Sequence, residues 1–134
     1  MLTIDEIILE AKKAQKSAYA PYSNFNVGAV LECKDGTIFY GANVENASYG
    51  LSICAERNAI FQAVLKGYRK DDFVKLCLIT DSKSIASPCG ACRQVISEFF
   101  LKETPIILAT TNGEKLITNI GELLPYSFDE ENLK

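Results

Sequence analysis

Histidine is missing from this sequence: none of its 134 residues carries an imidazole. That absence excludes Ser-His-Asp and Cys-His hydrolases, HExxH zinc peptidases and histidine proton shuttles. Acid–base chemistry near neutral pH falls instead to Glu, Asp, Lys, Tyr or Cys. A soft-metal site has to be built mainly from thiolates. Basic charge is scarce as well. Against 17 Asp and Glu stand 14 Lys and Arg, a net charge of −3, without the clustered cations that non-specific nucleic-acid binding requires. No apolar run approaches the roughly 18 residues of a membrane span. The opening Met1–Glu6 is too polar and acidic for a signal peptide. No low-complexity stretch, internal repeat or linker interrupts the chain. These absences predict one domain over residues 1–134, with a cytoplasmic location and neither membrane nor nucleic acid as partner.

What is present fits a folded globule. Apolar residues make up 48% and charged residues 23%, and a chain of this length buries around two-thirds of its unfolded surface without disulfide staples. Five cysteines stand at 33, 54, 77, 89 and 92. An odd count with no secretory leader argues for reduced thiols, each either a core residue or a ligand.

Helix and strand signals alternate. Thr3 and Glu6 spell a capping box, and Ile4, Ile7, Ile8, Ala11 and Ala18 follow helical spacing to about Tyr19, before Pro21. Phe25–Cys33 reads as a strand, Asp35-Gly36 as a tight turn and Thr37–Asn43 as the hairpin partner. A polar loop spans Ala42–Gly50. Ile53–Leu65 has helical spacing, with Gly67 as its stop. Val74–Thr80 and Ile106–Thr110 are short apolar runs suited to buried strands, flanking a helix from Cys89 to about Leu101. Lys115–Ile117 is a last short strand after the Asn112-Gly113 turn. The reading is an α/β fold in three layers: a mixed five-stranded sheet with helices on both faces.

Two motifs carry chemistry: Cys54-Ala55-Glu56-Arg57 and Pro88-Cys89-Gly90-Ala91-Cys92-Arg93-Gln94. Each opens a predicted helix, where free N–H groups and the helix dipole favour thiolates. Cys89 and Cys92 lie one turn apart on one side. Cys54 becomes a third ligand if the two helices start side by side at one sheet edge, as a crossover fold arranges. Three thiolates leave a zinc ion one open position, the hallmark of a catalytic rather than a structural site. Cys33 and Cys77 sit mid-strand and are expected in the core. Glu56, two residues from a ligand, is placed to move protons. Three thiolates on Zn²⁺ leave one negative charge, and Arg57 is the expected compensator, bonded to ligand sulfur; Arg93 is a second candidate or a plain surface residue. On these residues alone, a redox pair or a structural zinc clip at Cys89 and Cys92 remains open.

The pattern ligand-x-Glu followed by Pro-Cys-x-x-Cys resembles that of zinc nucleobase deaminases. Together with Tyr22-Ser23-Asn24-Phe25-Asn26-Val27-Gly28-Ala29, Asn43-Val44-Glu45-Asn46-Ala47-Ser48-Tyr49 and the Leu123-Leu124-Pro125…Phe128 tail, it resembles small, homotetrameric, all-cysteine cytidine deaminases over nearly the whole chain. The resemblance implies one zinc per chain on Cys54, Cys89 and Cys92. It implies hydrolytic deamination of cytidine and 2′-deoxycytidine, with Glu56 carrying protons to N3 and the leaving ammonia. It implies that Asn43 and Glu45 hold the ribose, that Phe25 packs on the nucleoside and that Ala55 joins the substrate site. It also implies that Ala47, Tyr49 and Phe128 reach a neighbouring subunit's site in a homotetramer. A blasticidin-type deaminase is the competing enzyme, and a non-catalytic zinc or thiol-redox module the competing class.

Overall fold

The Thr3 hydroxyl accepts from the Glu6 N–H at 3.1 Å while the Glu6 carboxylate accepts from the Thr3 N–H at 2.8 Å. This reciprocal cap starts helix α1 (Ile4–Gln15). The computed structural model describes residues 1–133. After α1 the chain forms β1 (Val27–Cys33), β2 (Ile38–Ala42), α2 (Ala55–Leu65), β3 (Phe73–Thr80), α3 (Gly90–Phe99), β4 (Ile106–Thr110), β5 (Lys115–Thr118) and the single turn α4 (Ile120–Leu123).

The five strands lie in the order β2-β1-β3-β4-β5. Strand β1 is antiparallel to both β2 and β3, β3 is parallel to β4, and β5 returns antiparallel to β4. Thus β2, β3 and β4 share one direction, and the helices that follow β2 and β3 both begin at the same sheet edge. That edge carries the site.

Alternation along the strands sorts the core into two layers. Ala29, Leu31, Leu76, Leu78, Ile106 and Leu108 pack with Ala59, Ile60, Ala63 and Ile96 of α2 and α3. Val30, Cys77, Ile79, Ile107 and Ala109 face Ile7 and Ala11 of α1. Helices therefore cover both faces of a mixed five-stranded sheet, as the sequence predicts. Cys33 and Cys77 are 1% and 0% exposed and belong to these cores. Burial pushes their thiols up to about 11 and about 12, so they remain protonated and unreactive.

Two glycines let helices sit close to the sheet. A Cβ at Gly28 would stand 2.3 Å from the Ala11 carbonyl oxygen, and one at Gly41 would stand 2.3 Å from the Ala55 carbonyl oxygen and 2.8 Å from the Ala59 nitrogen. Gly41 thus sets how deeply the first turn of α2 seats. Gly41→Ala is expected to lower unfolding stability by about 1–3 kcal/mol, the range for overpacking. A urea midpoint equal to wild type would contradict that close approach.

Several boundaries differ from the sequence reading. Helix α1 ends at Gln15 rather than near Tyr19, because Tyr19 pairs with the 43–45 segment: its N–H donates to Asn43 O at 2.9 Å and its carbonyl accepts from the Glu45 N–H at 2.8 Å. Strand β1 starts at Val27 rather than Phe25. Side-chain bonds hold the preceding turn, and Asn24 adopts a left-handed φ of 57°. Helices α2 and α3 start one to two residues late, with Cys54 and Cys89 as their N-caps. Helix α4 has too few residues to show a period.

Candidate active site

Cys54 and Cys89 cap α2 and α3 without a side-chain capping bond, and Cys92 stands on the first turn of α3. The shared sheet edge brings the three sulfurs within 4.8 Å of one another, with Cys89 Sγ and Cys92 Sγ 3.4 Å apart. Cys92 is buried, Cys54 half-buried and Cys89 exposed, so the trio opens on one side. Cys54 is held down to about 5, first by its bond with the Cys92 thiol and then by Arg57, whose Nη2 lies 3.6 Å from Cys54 Sγ. The same bond and burial push the Cys92 thiol strongly upward. Three sulfur donors this close together suit a soft cation. A tetrahedral zinc with bonds of about 2.3 Å keeps its sulfurs about 3.8 Å apart, within about 1 Å of the spread seen here. Among the described residues no histidine, carboxylate or further thiol joins the trio. The donor set fits one zinc ion with one open position.

Glu56, on the first turn of α2, is 5% exposed and lines the adjoining cavity. Burial raises its carboxyl to about 7, with the negative Cys54 adding to the effect. Such a group holds and releases a proton near neutrality, the property needed for general acid–base work.

The cavity measures about 830 Å³. It is lined by Cys54, Glu56 and Cys89 together with Phe25, Val27, Asn43, Glu45, Tyr49, Ala55, Leu78, Ala86 and Pro88. Asn43 and Glu45 build one wall together. The Asn43 Oδ1 accepts from the Val27 N–H at 2.9 Å, and its Nδ2 donates to Phe25 O at 2.8 Å. Glu45 Oε1 accepts from the N–H groups of Tyr22 at 3.0 Å and Ser23 at 3.1 Å, and Oε2 accepts from the Ser23 hydroxyl. Ser23 Oγ in turn accepts from the Phe25 N–H at 3.0 Å. The bond from the Ser23 hydroxyl holds the Glu45 carboxyl below its ordinary range. These bonds leave one N–H and one lone-pair site on Asn43 and one lone-pair site on Glu45 uncommitted. A sugar hydroxyl, at once donor and acceptor, complements that remainder.

The family model for the cytidine and deoxycytidylate deaminase zinc-binding region matches residues 1–108. The chain belongs to the cytidine deaminase family. It is 45% identical to the cytidine deaminase of Sporosarcina psychrophila over 98% of this chain and 96% of that protein. It is 46% identical to that of Halalkalibacterium halodurans, covering 95% of each. The crystal structure of cytidine deaminase from Burkholderia pseudomallei superposes with a TM-score of 0.92 at 46% identity, covering 95% of this chain and all of that one.

Within this cytidine deaminase fold, the cavity gathers Cys54, Cys89, Glu56, Arg57, Phe25, Asn43, Glu45, Tyr49 and Ala55, all singled out from sequence. Ala47 and Phe128 do not line it; both are exposed. Tyr49 does line it, although the resemblance directs it to a neighbour, and it is 91% exposed. Tyr22 and Ser23 line the cavity and escaped the sequence reading as site residues. Their only signal was membership of the Tyr22–Ala29 piece. Arg93 bonds to oxygens rather than to sulfur, at Pro88 O, Leu123 O and Ser87 Oγ.

Proposed function

We propose that the chain is, in one domain over residues 1–134, a zinc-dependent hydrolase that deaminates cytidine and 2′-deoxycytidine to uridine and 2′-deoxyuridine with release of ammonia. The observation that carries this reading is the convergence of three sulfurs beside a buried Glu56, with Cys54, Cys89 and Glu56 lining a cavity that has a sugar-complementary wall. Zinc, when bound by Cys54, Cys89 and Cys92, supplies Lewis-acid activation of the attacking water.

The other roles belong to the chain's own residues. Glu56 takes a proton from the water and delivers it to ring N3 as the water oxygen bonds to C4, then moves the proton of the resulting C4 hydroxyl to the amine, so that the C4–N bond breaks, the C4 carbonyl forms and ammonia leaves. Arg57 offsets thiolate charge at Cys54. Phe25, held through its backbone by Asn43 and Ser23, packs on the base. Asn43 and Glu45 take a ribose hydroxyl between a donor and an acceptor. Ala55 borders the base site. The charged groups of the lining are Glu45, Glu56 and Arg57, and the guanidinium is engaged by Cys54. A 5′-phosphate dianion therefore meets carboxylates rather than free cations, which favours nucleoside over nucleotide. The 58% exposed Phe128 and the exposed Ala47 and Tyr49 fit a homotetramer in which a neighbour closes each site. Free cysteines fit a reducing cytoplasm. No helix among the described residues is long and apolar enough to cross a membrane.

Loss of cytosine-ring absorbance is the direct test. Cytidine and deoxycytidine are expected to turn over, and blasticidin S and cytidine 5′-monophosphate to resist; preference for either comparator would reject the assignment. Glu45→Gln removes a charged acceptor from sugar and loop alike. It is expected to lower kcat/KM for cytidine by roughly tenfold to a hundredfold, the loss typical of a charge-assisted bond. An unchanged kcat/KM would remove Glu45 from the site. Light scattering tests the tetramer.

A further inference from the structure

Arg93 follows directly after Cys92, yet its guanidinium points away from the sulfurs. Nε donates to Pro88 O at 2.8 Å, Nη2 to Ser87 Oγ at 2.6 Å and Nη1 to Leu123 O at 2.7 Å. Pro88 O belongs to the peptide that leads into Cys89, so the first two bonds fix the entry to the most exposed of the three ligands. The third donates to the carbonyl of Leu123, the last residue of α4, and so reaches the C-terminal segment. The neighbouring Gln94 extends the link: its Nε2 donates to Phe128 O at 2.9 Å. One turn of α3 therefore grips the ligand loop on one side and the C-terminal segment on the other.

We propose that Arg93 is a positioning residue that fastens the Cys89 loop to the C-terminal segment 120–128, so that metal retention and the order of that segment are coupled. The physical ground is geometric. Cys89 has an exposed side and is the ligand freest to swing out. Any displacement of its backbone turns the Pro88–Cys89 peptide, and that turn breaks bonds to a rigid planar fork whose remaining arm holds Leu123. Conversely, loss of the Leu123 contact leaves the fork held only by the loop it is meant to brace. Positive charge near the thiolates is supplied in either event, so charge alone does not account for the arrangement. The proposal rests on the three-cysteine zinc centre and is independent of which nucleoside is the substrate.

The test uses the intact zinc-loaded protein. Zinc release to a chromophoric chelator is timed for wild type, Arg93→Gln, Arg93→Lys and the milder Ser87→Ala. Hydrogen exchange of the 120–128 peptide is followed with and without zinc. Arg93→Gln is expected to release zinc about 10–100-fold faster, the usual cost of losing a group that orients a ligand. Arg93→Lys, which keeps the charge but loses the fork, is expected to resemble Arg93→Gln, and Ser87→Ala to fall between it and wild type. In wild type, zinc is expected to slow exchange over 120–128, and Arg93→Gln to abolish that dependence. Wild-type release from Arg93→Lys would show that charge suffices and overturn the proposal. So would exchange over 120–128 that ignores zinc in the wild type. Failure of the wild type to bind zinc is a different result, since it would remove the metal centre itself.

Discussion

Glu56→Ala is expected to keep one zinc per chain and the native fold while losing nearly all deamination. General acid–base catalysis by a placed side chain is worth roughly 10²–10⁴ in rate. In the proposed mechanism one carboxyl serves both proton transfers, so the upper end of that range is the expectation. The fold should survive because Glu56 makes no ion pair among the described residues and is buried at an energetic cost, visible in the rise of its carboxyl to about 7. Removing it takes away a desolvated acid and keeps all three cysteine side chains. Metal content by atomic emission and cytidine turnover by absorbance, measured on one preparation, decide the matter. A variant with full zinc and near wild-type turnover would move the proton carrier elsewhere.

The second large effect is expected at the cysteines. Cys54→Ala should abolish stoichiometric zinc and, with it, activity, and should lower the melting temperature. Binding of zinc by closed thiolate sites contributes about 10–16 kcal/mol in small domains; even a modest share of this is large beside the stability of a folded domain. Cys54 also accepts the Arg57 guanidinium, whose Nε is already buried without a partner. Its loss leaves more of that cation unpaired, a further destabilising effect. Cys92→Ala, at a site with no solvent exposure, should perturb the fold at least as much, and Cys89→Ala, at an exposed position, the least. Full zinc occupancy in Cys54→Ala would exclude it as a ligand.

The unequal legibility of the site follows from the same geometry. Cys89 and Cys92 are readable as a pair because their spacing is one helical turn, and the Thr3–Glu6 cap is readable because it closes within four residues. Asn43 and Glu45 look like ordinary loop polars when read singly. Their partners lie far back in the chain, at Tyr22, Ser23, Phe25 and Val27. Tyr19 reads as helix because its local spacing is helical, but a backbone pairing to residues 43–45 outcompetes that weak preference. Arg93 shows the opposite failure. Its proximity to Cys92 in sequence suggests the sulfurs, whereas its fork is satisfied by carbonyls that only folding brings near.

By itself the sequence determined the alternation of helices and strands, the mainly thiolate character of a soft-metal site and the pairing of that site with a neighbouring carboxylate. Each of these is carried by contacts or periods within a turn or two of chain, or by the plain absence of histidine. Tertiary structure alone decided how closely Cys54 approaches Cys89 and Cys92, that Asn43 and Glu45 brace the Phe25 turn, and that the C-terminal segment is tied to the Cys89 loop. Those meetings depend on strand order and on the common direction of β2, β3 and β4. Sheet order is set by the summed burial of two core layers, and no local stretch of sequence contains that sum.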